Sequence, residues 1–73
     1  MNATQCKMAR AATGLGLREL ADMAGISPNT ISRLERGEEL KPATVQIIRT
    51  ALEQAGVEFI AENGGGAGVR LKK

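Results

Sequence analysis

Leu20-Ala21-Asp22-Met23-Ala24-Gly25-Ile26-Ser27-Pro28-Asn29-Thr30-Ile31-Ser32-Arg33 is the stretch that decides the fold. With Leu17 just upstream, Leu20, Ala21 and Ala24 fall at i, i+3, i+4 and i+7. One face of a helix over about 17–24 is therefore apolar, and its small alanines let another helix approach closely. Gly25 supplies the left-handed backbone that a helix C-terminus needs. Ser27 then offers an N-cap oxygen, Pro28 suits the first helical position, and Ile26 is placed to staple onto Ile31. A second helix, over about 28–36, starts at once. It buries Ile31 and Leu34, three apart, and leaves Pro28, Asn29, Ser32, Arg33 and Arg36 pointing outward.

Two helices joined at a steep angle by a three- or four-residue turn form the helix-turn-helix unit, whose second helix fits the major groove of DNA. At these residues the sequence resembles the lambda-repressor-like family of helix-turn-helix regulators, also called the Xre or Cro/repressor family. The resemblance is carried by Leu20-Ala21, Gly25, Ile31-Ser32-Arg33-Leu34-Glu35-Arg36-Gly37 and the upstream Arg10, over roughly the first 55 residues. It implies a compact bundle of four or five helices that binds operator DNA as a dimer. Its base-reading positions are matched here by Pro28, Asn29, Ser32 and Arg33. It also implies a structural ion pair, partly buried, between Arg10 and Glu35, joining helices one and three. Leu17 departs from the family, where a polar residue, often Gln, commonly contacts the DNA backbone at the start of helix two. Arg18 is the candidate replacement.

The chemistry of the outward face agrees with that implication. Asn29 and Arg33 lie four apart on one side of the helix. An amide can pair with adenine, and a guanidinium can fork to guanine O6 and N7, each good bidentate pair contributing about 1–3 kcal/mol of discrimination. Pro28 offers no donor and reads as a helix start rather than a thymine-methyl contact. Ser27, Thr30 and the first amides of the helix are candidates for phosphate, since hydroxyls and helix N-termini bind anions, although Ser27 reads equally as a cap alone. Arg36 and Lys41 flank this helix and are either phosphate contacts or ordinary surface charge.

Composition narrows the remaining function classes. The chain has one Phe and no Trp, Tyr or His, which removes histidine metal sites, imidazole acid–base chemistry and aromatic base-stacking platforms. No acid, base, nucleophile or metal set is assembled, so no enzyme activity, cofactor or metal is expected. The single cysteine, Cys6, permits no internal disulfide and fits a reducing compartment. With neither a signal peptide nor a membrane-length apolar run, a cytoplasmic protein without membrane association is expected. Cys6 stands four residues before Arg10 and reads as a small inward group, since redox sensing would require exposure and a lowered thiol pKa. The formal charge is +2, but Arg70, Lys72 and Lys73 supply three of the positive charges, leaving the rest of the chain slightly negative. The total charge therefore says little about nucleic acid, and the local pattern carries the argument.

The rest of the chain completes a small domain. Residues 3–13 are alanine-rich, without Gly or Pro, and predict helix one, stopped by Gly14 and Gly16 with Leu15 between them. Gly16 is a weak N-cap for helix two. Gly37 closes helix three, Glu38 to Lys41 form a polar loop, and Pro42 opens helix four, whose Val45, Ile48, Leu52 and Ala55 share a face until Gly56. Residues 1–56 are thus expected to form a helix-turn-helix domain, with the motif itself over about 17–36, followed by a strand-rich extension over 57–73. In that extension, residues 57–61 and 69–72 resemble short strands around a glycine-rich turn at 62–68, which lacks the Gly-Lys-Ser/Thr ending of a phosphate loop.

An isolated two-stranded hairpin is marginal in water, so these strands are expected to pair with something more, such as the same segment of a second subunit. The expected fold is mainly α: a four-helix lambda-repressor-like domain with a C-terminal β-hairpin or dimer-forming strands. The expected function is sequence-specific transcription regulation on double-stranded DNA, as a homodimer on a palindromic operator. The alternative is an antitoxin or adaptor whose tail binds a partner protein.

Overall fold

Asn2 begins the first helix by closing a capping box. Its Oδ1 accepts the Gln5 N–H at 2.7 Å, and Gln5 Oε1 accepts the Asn2 N–H at 3.0 Å. The computed structural model describes residues 1–61 and 64–72. From this cap run α1 (Ala3–Thr13), α2 (Leu17–Ala24), α3 (Pro28–Glu35) and α4 (Pro42–Gln54), followed by β1 (Val57–Ile60) and β2 (Gly68–Leu71). The third helix is one residue shorter than expected, because Arg36 serves as its C-cap. Gly16 has no side chain to cap α2, but Glu19 Oε1 reaches back to accept the Gly16 N–H at 2.8 Å.

The turn between α2 and α3 is a Schellman motif. Gly25 takes φ 71°, its N–H bonds the Asp22 carbonyl at 3.3 Å, and the Ile26 N–H bonds the Ala21 carbonyl at 3.0 Å. An alanine at this φ would be strained, which is why a glycine stands at the corner. The core gathers one small set from every helix: Cys6 and Ala9, Leu20 and Ala21, Ile31 and Leu34, then Ile48, Ala51 and Leu52, closed by Val57 of the first strand. Four of these ten are alanine or cysteine, so the helices approach closely and each large side chain fills space that few others share.

The two strands pair with each other, antiparallel, in the register Val57↔Leu71, Glu58↔Arg70, Phe59↔Val69 and Ile60↔Gly68. Of the expected connecting turn, residues 62–63 lie outside the described residues, as does position 73 of the tail. What supports the hairpin is this chain's own helical body: α1 packs against both strands and α4 against β1. Val57 is fully buried, Phe59 and Val69 pack on the core, and the Arg49 guanidinium lies 5.1 Å from the centre of the Phe59 ring. The far side carries an Arg70–Glu58 ion pair at 2.6 Å. Gln5 completes the attachment. Its side-chain NH₂ donates to the Ile60 and Gly68 carbonyls, each at 3.1 Å, while its Oε1 holds the start of α1.

A second polar junction ties α1 to α3. Arg10 Nε and Nη2 donate to the two Glu35 oxygens at 2.7 and 2.8 Å, and Arg10 Nη1 donates to the Leu15 carbonyl at 3.3 Å. Glu35 is only 9% exposed and Arg10 24%, so the pair is screened from water on the carboxylate side. The Cys6 thiol donates to Glu35 Oε2 at 3.3 Å. Cys6 is therefore a buried hydrogen-bond donor as well as a small core group. Burial, reinforced by the neighbouring carboxylate, pushes its thiol pKa up to about 12, and the reactive thiolate is suppressed at neutral pH.

Three measurements test this construction. Glu35→Ala leaves the Arg10 charge without its partner and should cost about 3 kcal/mol, at the lower end for a buried pair because Arg10 keeps some solvent; a melting temperature equal to wild type would refute it. The Arg10 hydrogen bonds hold the Glu35 carboxyl below its ordinary value of 4.5. A group depressed in the fold stabilises it above the unfolded-state pKa and loses that contribution as pH falls through the folded value. Wild type should therefore lose more stability below about pH 4.5 than Glu35→Gln does, with Glu38 and Glu58 common to both proteins. Gln5→Ala should abolish slow amide exchange across 57–60 and 68–71 while leaving α2 and α3 protected; retained protection in the hairpin would show that apolar docking alone holds it.

Candidate nucleic-acid interface

The surface of interest begins at Ser27, whose Oγ accepts the Asn29 N–H at 3.1 Å. The Thr30 N–H bonds the Ser27 carbonyl at 3.0 Å, and Pro28 has no N–H. The first three positions of α3 therefore keep no free amide, which corrects the expectation that these amides await a phosphate. The N-cap has consumed them, and the hydroxyl protons of Ser27 and Thr30, with the Asn29 side-chain amide, remain to be donated.

Along α3, Ser27, Pro28, Asn29, Arg33 and Arg36 are exposed, while Thr30 and Ser32 are half-buried. Ile31 and Leu34 hold the opposite side in the core, so the face is rigidly presented. Arg18 is exposed in the first turn of α2, and Lys41 is exposed at the N-cap of α4. Among the described residues neither takes part in an ion pair. A concavity of about 400 Å³ beside α3 brings Thr30, Arg33, Glu39, Lys41 and Thr44 to one lining, together with the apolar Ile26 and Leu40. Its lining is mixed in character, with a carboxylate beside two cations.

Glu38 is a residue of this surface that the sequence pattern does not single out. Its carboxylate meets Arg33 Nε at 2.9 Å and Arg36 Nη2 at 3.1 Å, while Arg36 Nη1 donates to Ser32 Oγ at 3.3 Å. The hydrogen bonds from Arg33, then Arg36, hold the Glu38 carboxyl below its ordinary range. Gly37 was the available signal. When a glycine closes a helix in a Schellman turn, the residue after it lies beside the residue four before it, which here pairs Glu38 with Arg33.

A helix-turn-helix family model matches residues 7–57, which run from within α1 through α4 to the first residue of β1. The chain belongs to this Xre/lambda-repressor-like helix-turn-helix family, a family of DNA-binding regulatory domains. The matched span covers most of the chain and leaves nearly all of the hairpin beyond it. No curated protein matches the sequence. No helix among the described residues is long and apolar enough to cross a membrane.

Native Cys6 should resist alkylation by iodoacetamide at pH 8 and react only as fast as the fold opens, because it is fully buried and its pKa is raised. Rapid labelling of the folded protein would overturn that assignment and restore a reactive cysteine beneath α3.

Proposed function

We propose that this protein is a sequence-specific transcriptional regulator that lays α3 in the DNA major groove, with Asn29 and Arg33 as the residues that read base edges. The observation carrying the proposal is the exposed polar face of α3, anchored behind by Ile31, Leu34 and the Arg10–Glu35 pair in a chain of the helix-turn-helix family. Ser27, Thr30 and Ser32 border the reading pair and serve the backbone, with Arg18 and Lys41 as flanking phosphate contacts and Arg36 beside Arg33 at the end of the face. Pro28 sets the helix start.

A homodimer on a palindromic operator would place two such helices one turn of DNA apart, about 34 Å, and multiply a modest single-site affinity. The hairpin's pairing within its own chain supports the regulator over the adaptor reading, since its strands have already found each other and the helical body. Because phosphate contacts dominate such affinities, binding should weaken steeply with salt.

Selection of bound sequences from random duplex DNA, followed by Arg33→Ala, tests the assignment. The variant should lose preference at one base position in each half-site, by about 1–3 kcal/mol of discrimination. Uniform weakening across all sequences would make Arg33 a phosphate contact instead, and failure to enrich any sequence would defeat the reading as a whole.

A further inference from the structure

Arg33 and Arg36 are not independent charges on the face of α3. Gly37, at φ 92°, reverses the chain; its N–H bonds the Leu34 carbonyl at 2.9 Å, and the Glu38 N–H bonds the Arg33 carbonyl at 3.1 Å. This Schellman closure lays Glu38 back against the end of the helix and fixes its backbone there. The carboxylate is then divided, Oε1 to Arg33 and Oε2 to Arg36.

That division acts on Arg33 in two ways. The bond to Arg33 uses Nε alone, so among the described residues Nη1 and Nη2 of Arg33 have no partner. Those terminal nitrogens are able to fork end-on to a guanine. The second effect is electrostatic: Glu38 and the adjacent Glu39 offset Arg33 and Arg36, which weakens the pull of these two arginines on phosphate.

We propose that Glu38 is a positioning residue that sets DNA specificity, aiming the Nη edge of Arg33 at a guanine while restraining Arg33 and Arg36 from indiscriminate contact with phosphate. The proposal rests on the DNA-binding reading above. For Arg33 to turn its Nε edge side-on to a phosphate it must leave the carboxylate, whereas meeting a base end-on through Nη1 and Nη2 keeps that bond. The cost of displacing Glu38 therefore falls on side-on phosphate contacts and spares the Arg33–base contact. The arginines hold the Glu38 carboxyl below the ordinary carboxylate range, so it stays charged at neutral pH.

The test compares wild type with Glu38→Gln on two labelled duplexes of equal length, one recovered by selection from random DNA and one scrambled, by fluorescence anisotropy across a salt series. Glu38→Gln should bind the scrambled duplex about three- to tenfold more tightly. The slope of log affinity against log salt on that duplex should steepen by about 0.9 for each additional phosphate that the released arginines neutralise. The preference for the selected duplex should shrink by a comparable factor or more. Glu38→Asp, too short to reach both arginines, should fall between. Because Glu38 is exposed, the melting curve should stay close to wild type, which separates the effect from unfolding.

An unchanged preference and salt slope would overturn the proposal, as would a parallel loss of affinity for both duplexes. If wild type prefers the selected duplex and Glu38→Gln preserves that preference, the role of Glu38 fails alone. If wild type binds neither duplex, the DNA-binding reading fails and this one falls with it.

Discussion

The Glu35 carboxylate is the point on which the architecture turns. It sits at the C-terminal end of the helix that must face outward, yet it is buried, and a buried carboxylate is tolerable only when its oxygens are satisfied. Arg10 supplies two donors and Cys6 a third, both from α1, so the first helix is in effect the socket into which the third is plugged. The Arg10 guanidinium also donates to the Leu15 carbonyl, which pins the connector leading into α2. One charge pair therefore coordinates three successive elements. A purely apolar contact would pack as well without fixing how far α3 can slide or rotate, and the pair gives the presented face a defined orientation.

The second constraint is the economy of the turns. α2 and α3 are only eight residues each, too short to be stable alone, so their ends must be stopped by geometry rather than left to fray. Gly25 and Gly37 do this with the same closure, and each places the next residue where it is used: Ile26 partly buried against the core, Glu38 against two arginines. The same backbone device thus terminates a helix and installs a side chain.

Much of this was legible in the residues. The apolar sets Leu20 with Ala21 and Ile31 with Leu34 announce their faces by spacing, and Gly25, Ser27 and Pro28 each have a local conformational preference that agrees with the turn. Periodicity also distinguishes the exposed side of α3 from its buried side. What stayed hidden depends on chain separations that no local pattern encodes. Nothing local in the alanine-rich first helix marks Gln5, because the hairpin that uses its amide arrives from 55 and 63 positions away. The hairpin itself was readable, but what covered it was not, because a marginal two-stranded unit is completed equally well by a neighbour or by its own chain. Glu38 looks like part of a polar loop, since its meaning depends on the direction in which Gly37 turns the chain. The amides at the start of α3 look free because the pattern names a cap without showing which donors it takes.

Gln5 also bears on how the molecule comes apart. Arg10 and Glu35 join α1 to α3 across 25 positions, whereas the bond from Gln5 to Gly68 spans 63 and closes nearly the whole chain into a ring. Contacts of that separation are entropically the slowest to make. Because one amide holds both the start of α1 and the end of the hairpin, opening the ring costs both ends together. The hairpin and the first turn of α1 thus share one polar attachment, so that loosening either loosens the other.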